Sequence, residues 1–285
     1  MTIRDLDLGD AACRLWLAGG PSFQEYKTAS LGAFRCDDVP AGERLLREAA
    51  AQLTAEGFDY LIGPMDGDTW HRYRLVTESD GSPPFFLEPS NPAFYPEVFE
   101  AAGFTVIGRY SSARSEGFRQ RPLGAYTRRL QTLGLHLRPF DPQRGEEDLR
   151  AIYRLSLTAF AGNFLYTPIG EEAFLDMYRP VLGRLVPEFV WLAEDGEEQL
   201  AAFIFAIPDY LEGPSPTTLI VKTYASRVPG LGGYLYEHLQ AVARAAGFTA
   251  MIHALMHEDN VSRRNSDKYA RSIRRYALYG RPLAA

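Results

Sequence analysis

Apolar residues recur along this chain with two spacings, and the switch between them marks out its elements. Leu219, Ile220 and Val221 form a short β-branched run that suits a buried strand. Leu235, Leu239, Val242, Ala243 and Ala246 return at helical spacing, which predicts one apolar face of a helix, with Gly247 placed to end it. An earlier stretch follows the same order. It has a strand at 26–34, a turn at Asp37, Asp38, Pro40 and Gly42, a helix with Leu45, Leu46, Ala49, Ala50 and Leu53 inward, then Gly57 and a strand at 60–62. Residues 55–65 parallel 245–256, and Tyr26-Lys-Thr-Ala-Ser parallels Val221-Lys-Thr-Tyr-Ala-Ser, which predicts an internal repeat.

The rest of the chain fills in around these two units. Arg14, Leu15, Trp16 and Leu17 read as the start of a helix that Gly19 and Gly20 end, so the first unit is expected without opening strands. Residues 63–90 form a polar, aromatic insertion in which Trp70, His71, Arg72, Tyr73 and Arg74 cluster. Two readings of the cluster stand: a site for an anionic or planar ligand, or a loop packing on the other domain. A short helix at 91–103 and a strand at 105–110 follow, then an Arg- and Ser-rich linker at 118–134. Beyond it the pattern predicts strands at 136–140, 189–193, 200–206, 250–254 and 272–279, and helices at 146–160, at 170–184 and from Asn260.

Composition narrows the class. At 285 residues, with 46% hydrophobic and 23% charged side chains, there is material for one large or two ordinary globular domains. No run reaches the ~18 apolar residues of a membrane span, and the acidic N-terminus lacks a signal-peptide core. Cys13 and Cys36 read as free thiols of a reducing cytoplasm. His71 has no second ligand at metal-binding spacing, so no metal is expected. A net charge of −6 argues against general nucleic-acid binding.

The loop between the second strand and helix carries the chemistry. Arg227-Val-Pro-Gly230-Leu-Gly232-Gly233 precedes a helix start, where unpaired backbone N–H groups and the helix dipole attract an anion. Glycines let a ligand approach those groups. Neither G-x-x-x-x-G-K-[ST] nor G-x-G-x-x-G is present. Arg227-x-x-Gly230-x-Gly232 resembles the R/Q-x-x-G-x-G/A loop of the GNAT superfamily of acyl-CoA N-acyltransferases. Asn91 through Phe94, Tyr95, Gly103 and Phe104 resembles the family's N-x-x-A-x-x-F-Y-E-K-x-G-F segment. The resemblance implies an α/β (α+β) fold of two GNAT-like domains, each a mixed, mostly antiparallel central sheet flanked by helices. Domain 1–125 is degenerate and 126–285 complete. The first unit's loop has Asp37 and Asp38 in place of R-x-x-G-x-G, so one cofactor per chain is expected.

What the resemblance implies for function is acyl transfer from acetyl-CoA, or another acyl-CoA, to a small-molecule primary amine by direct attack. This is the chemistry of acyltransferases that move groups other than aminoacyl groups. It places the pantetheine arm along Thr223, Tyr224 and Ala225. It places the pyrophosphate on the loop of Arg227, Val228, Gly230, Leu231, Gly232, Gly233 and Tyr234, with Asn260 beside the cofactor. The family's thiolate-protonating tyrosine would fall on Asp267 here, so Tyr269 is taken as its substitute, with Tyr276 next in line. The helix also ends in Ala270-Arg271-Ser272 rather than Gly-Phe. His257 and Glu258 are the candidate bases. Asn163, Tyr166 and Tyr210 are the candidate acceptor contacts. Arg263, Arg264, Lys268, Arg271, Arg274, Arg275 and Arg281 crowd the C-terminus. They read as a solvated face, as contacts to the adenosine 3′-phosphate, or as a tRNA surface of the Fem-type aminoacyl-tRNA-dependent transferases. A non-catalytic acyl-CoA-binding module is the remaining alternative. The chain is expected to be a monomer or homodimer.

Overall fold

The computed structural model of the chain describes residues 2–118 and 123–283. In the first half β1 (Ile3–Asp7), β2 (Ala11–Trp16) and β3 (Thr28–Cys36) form an antiparallel meander. Helix α1 (Val39–Ala55) returns the chain to β4 (Tyr60–Gly63), parallel to β3. Then come β5 (Leu75–Ser79), α2 (Tyr95–Ala101) and β6 (Thr105–Glu116). After α3 (Gly124–Thr132), the second half runs β7 (His136–Pro139), α4 (Gly145–Ala159), α5 (Glu171–Tyr178), β8 (Val190–Glu194), β9 (Leu200–Pro208) and β10 (Thr218–Ser226). It ends with α6 (Leu231–Ala245), β11 (Ala250–His257), α7 (Val261–Ser266) and β12 (Arg271–Pro282).

Among the described residues the strands form one sheet, ordered β1-β2-β3-β4-β12-β6-β11-β10-β9-β8-β7, with β5 also on β12. Its pairs are antiparallel except β3/β4 and β10/β11. This is the mixed, mostly antiparallel sheet flanked by helices that was expected. Each half has its own core. Leu45, Leu46, Ala49, Ala50 and Leu53 of α1 pack on Leu15, Leu31 and Leu61. Leu235, Leu239 and Ala243 of α6 pack on Ile204, Leu219 and Val221.

The two halves repeat each other closely. Phe58 and Phe248 donate backbone bonds to Leu53 and Ala243, and Asp59 and Thr249 donate to Lys27 and Thr217. The register corrects one expectation. Thr28 lies opposite Tyr60 as Thr218 lies opposite Ala250, so Thr28 corresponds to Thr218 and not to Thr223. The closing strands are exchanged. β12, from the second half, pairs with β4, and β6, from the first, pairs with β11. Leu283 N accordingly bonds Asp59 O, while Gly117 N bonds Thr249 O, each at 2.8 Å. The two exchanged strands pair with each other at the centre.

Three further expectations are corrected. The first half does have opening strands: residues 14–16 belong to β2, where Ala11, Cys13 and Leu15 are buried and Arg14 exposed, a period of two rather than of a helix. The linker at 118–134 contains α3; its residues 119–122 lie outside the described segments. The helix at 170–184 is α only to Tyr178 and then tightens to a 3-10 segment at Arg179–Arg184, where Pro180 lacks the N–H an α-helix needs. Cys13 and Cys36 are both free and buried. No helix among the described residues is long and apolar enough to cross a membrane.

Candidate active site

β10 and β11 pair only from Thr218/Ala250 to Val221/His253. Beyond that point β10 continues against β9 and β11 against β6, each after a bulge. The two strands therefore part, and a cavity of about 940 Å³ opens between them and runs to the start of α6. The equivalent gap in the first half is shut by its own chain. There Met65 N bonds Leu31 O and Ala33 N bonds the Asp66 carboxylate, both at 2.7 Å. A Cβ on Gly32 would lie 2.1 Å from that same carboxylate oxygen.

The cavity reaches the glycine loop. Gly230 stands at the cap of α6 with φ 81°, a left-handed conformation that glycine adopts without strain, and no side chain caps the helix. Gly232 and Gly233 line the cavity in the first turn, whose N–H groups lack intrahelical partners. A Cβ on Gly232 would sit 3.1 Å from the Tyr224 ring, so the loop is shaped for a bare backbone. These features fit a pyrophosphate. Thr223, Tyr224, Ala225, Val228 and Asn260 also form the wall. Three predicted loop residues do not. Arg227 is exposed and ion-paired with Asp195 at 3.1 Å, because the chain turns outward before the helix. Leu231 and Tyr234 are buried in the core beneath α6, on the face that holds the helix to the sheet. A cation that the sequence did not single out takes a place here: Arg129 of α3 donates to Pro229 O at 2.7 Å, beside Gly230.

Tyr269 lies in the cavity wall. It is not on a helix, since α7 stops at Ser266 and the next residues turn. Its ring lies 5.9 Å from that of Tyr236 and 5.5 Å from that of His253. Burial, with the neighbouring Tyr269 phenol adding to it, raises the Tyr236 hydroxyl well above its ordinary range. Tyr236 in turn meets His253 Nε2 at 2.6 Å, and His253 Nδ1 meets Ser266 at 2.6 Å. Burial lowers His253 to about 4, so it is neutral at pH 7. Tyr276 is buried elsewhere, bonded to Glu88 and Ser112.

His257 also faces the cavity, its ring against Tyr110 and Phe164. Burial lowers its pKa and keeps it neutral. The Asp259 amide donates to its Nδ1 at 3.2 Å, which places the ring's proton on Nε2. Glu258 is exposed and outside the cavity, because the β11 backbone there turns onto Arg109. Asn163 and Tyr166 line the wall; Tyr210 is exposed, packed edge-on to Phe86 and away from the cavity. Trp70 packs against Phe174 and Tyr166 and donates to Thr167 O at 2.8 Å, so the insertion does pack on the second half. Arg74 nonetheless enters the cavity. Sequence reasoning missed Lys222, although a lysine directly after the run Leu219-Ile220-Val221, within one strand, is a visible signal; it lines the cavity at the β10 bulge.

Comparisons with solved structures give the same architecture. A tandem GNAT protein from the clavulanic acid biosynthesis pathway aligns over 100% of this chain and 84% of its own, with TM-score 0.55 and 14% identity. A GCN5-related N-acetyltransferase from Sphaerobacter thermophilus covers 97% of this chain and 78% of its own, with TM-score 0.55 and 12% identity. A GCN5-related N-acetyltransferase from Anabaena variabilis covers 96% and 60%, with TM-score 0.52 and 8% identity. No family model and no curated protein matches the chain. The chain has the tandem GNAT fold.

Proposed function

We propose that this protein is an N-acyltransferase that moves an acyl group, acetyl in the simplest case, from acyl-CoA to a primary amine. The observation that carries the reading is a single cavity that joins a bare glycine helix start to the open wedge of β10 and β11, with Tyr269 on its wall. Gly232 and Gly233 would hold the pyrophosphate, and Thr223 to Ala225 the pantetheine arm. The thioester supplies an activated acyl carbon. A neutral amine attacks it, the C–S bond breaks, and the proton lost by nitrogen balances the one gained by sulfur. Tyr269 donates to the leaving sulfur, backed by Tyr236 and neutral His253. His257 is the predicted base that faces the cavity; to accept a proton on Nε2 it must give up the long bond from Asp259.

The tRNA reading loses support. Arg263 pairs with Asp267, Arg271 with Asp80, Arg274 with Asp80 and Glu88, and Arg275 with Glu78. Much of the basic C-terminus thus has carboxylate partners of its own. The test is thiol release from acetyl-CoA against a panel of amines. Amine-dependent release is expected; coenzyme A binding with no release for any amine would move the protein to the non-catalytic class.

A further inference from the structure

Arg74 enters the cavity from the first half and is held there with some force. Its backbone has φ 72°, uncommon for a residue with a long side chain. Its guanidinium lies between Tyr73 and Tyr110, 3.9 and 4.2 Å from the ring centroids. One terminal nitrogen donates to Leu255 O at 3.2 Å, and the buried Nε has no partner. Lys222 lines the same cavity, and burial together with the Arg74 charge brings its ammonium down to about 8. Glu88 is the carboxylate whose charge reaches Lys222, but it is held by Arg274 at 3.2 Å and by the Tyr276 hydroxyl at 2.7 Å. Among the described residues no carboxylate forms an ion pair with Arg74 or Lys222.

Buried charges are normally paired, because leaving water costs each of them several kcal/mol. Glu237 also lines this cavity, but two cations that face it with no carboxylate paired to either leave that pairing to a ligand. The two tyrosine rings, 80° apart in plane, hold the guanidinium in place and leave its Nε–H unbonded, which suits an oxygen of a carboxylate. The helix-start glycines are the other place for an anion, and the reading above assigns them to the pyrophosphate. The charge at Arg74 is then left to the second substrate. Tyr166, also on this wall, has a buried hydroxyl without a partner.

We propose that the acceptor is a small amine bearing a carboxylate, held by Arg74 and Lys222, so that the protein acylates amino acids in preference to simple amines. The proposal rests on the acyl-transfer reading, and its test separates the two. Glycine, L-alanine, L-glutamate, β-alanine and 4-aminobutyrate are each compared with the matching amide and decarboxylated amine. Thiol release from acetyl-CoA gives kcat/KM, and calorimetry on protein saturated with coenzyme A gives binding without turnover. The best amino acid should exceed its amide at least tenfold in both. Arg74→Gln should abolish the preference and Lys222→Met reduce it. Equal handling of acid and amide by the unaltered protein overturns the proposal, whether or not the variants fold. Thiol release with no carboxylate preference overturns it while leaving acyl transfer intact. A calorimetric preference without any thiol release keeps the anion site and removes the acyl-transfer reading.

Discussion

Tyr269 faces the cavity because α7 ends at Ser266, three residues before it, where a continued helix would have turned the ring away. Tyr269→Phe is expected to lower kcat by ~10²-fold or more, with acetyl-CoA affinity nearly unchanged, as read by steady-state kinetics and calorimetry. An unchanged kcat would pass the role to water, since Tyr276 is buried against Glu88 and Ser112. Behind Tyr269, His253 carries a pH dependence. Its folded pKa of about 4 lies below the ordinary histidine value of 6.5, so the unfolded chain binds more protons between them. The stability it contributes is intact above pH ~6.5 and is lost as pH falls toward 4. Relative to His253→Asn, the unaltered protein should lose roughly 2 to 3 kcal/mol more between pH 7.5 and 4.5 in urea unfolding. Parallel pH profiles for the two proteins would show that the ring is not kept neutral.

The starts of α1 and α6 occupy equivalent places in the repeat and differ in what meets their amides. Asp38 caps α1 and accepts from Ala41 N at 2.8 Å, so a carboxylate of the chain already fills the anion position. In α6 Gly230 leaves that position open. One coenzyme A per chain is therefore expected by calorimetry. Gly232→Asp should weaken it at least tenfold, ~1.4 kcal/mol; a stoichiometry of two would defeat the asymmetry. Much of this was legible beforehand, because helix faces such as Leu45 to Leu53 and the spacing of Gly230 and Gly232 are local patterns. The β1–β2 hairpin was not, since Leu15, Trp16 and Leu17 in a row mask the alternation that burial shows. Lys-Thr occurs in both units at different depths, so the dipeptide alone gives the wrong register for the repeat. Lys222 and Arg74 reach the cavity, and Arg129 the loop beside it, through contacts between segments far apart in sequence, although the Trp70–Arg74 cluster is a visible signal for one of them.

The exchange of β6 and β12 ties the halves into one sheet. β12 touches β4 on one side and β6 on the other, so neither half completes its sheet alone. A chain ended after residue 270 is expected to lose both halves together, seen as loss of protease resistance and of coenzyme A binding. A truncated chain that still binds coenzyme A with full affinity would show the second half to be independent. No short pattern in β6 or β12 announces this pairing, because the paired strands lie far apart in sequence. That separation bears on synthesis. While the nascent chain emerges, β4 is made about 200 residues before β12, or on the order of 10 to 40 s earlier at ordinary ribosome speeds. β6 follows β4 by only about 45 residues, so for most of that interval both neighbours of β12 exist without it. Any direct pairing of β6 with β4 in that time would have to break before β12 could take its place between them. The order of synthesis thus leaves the centre of the sheet to be filled last.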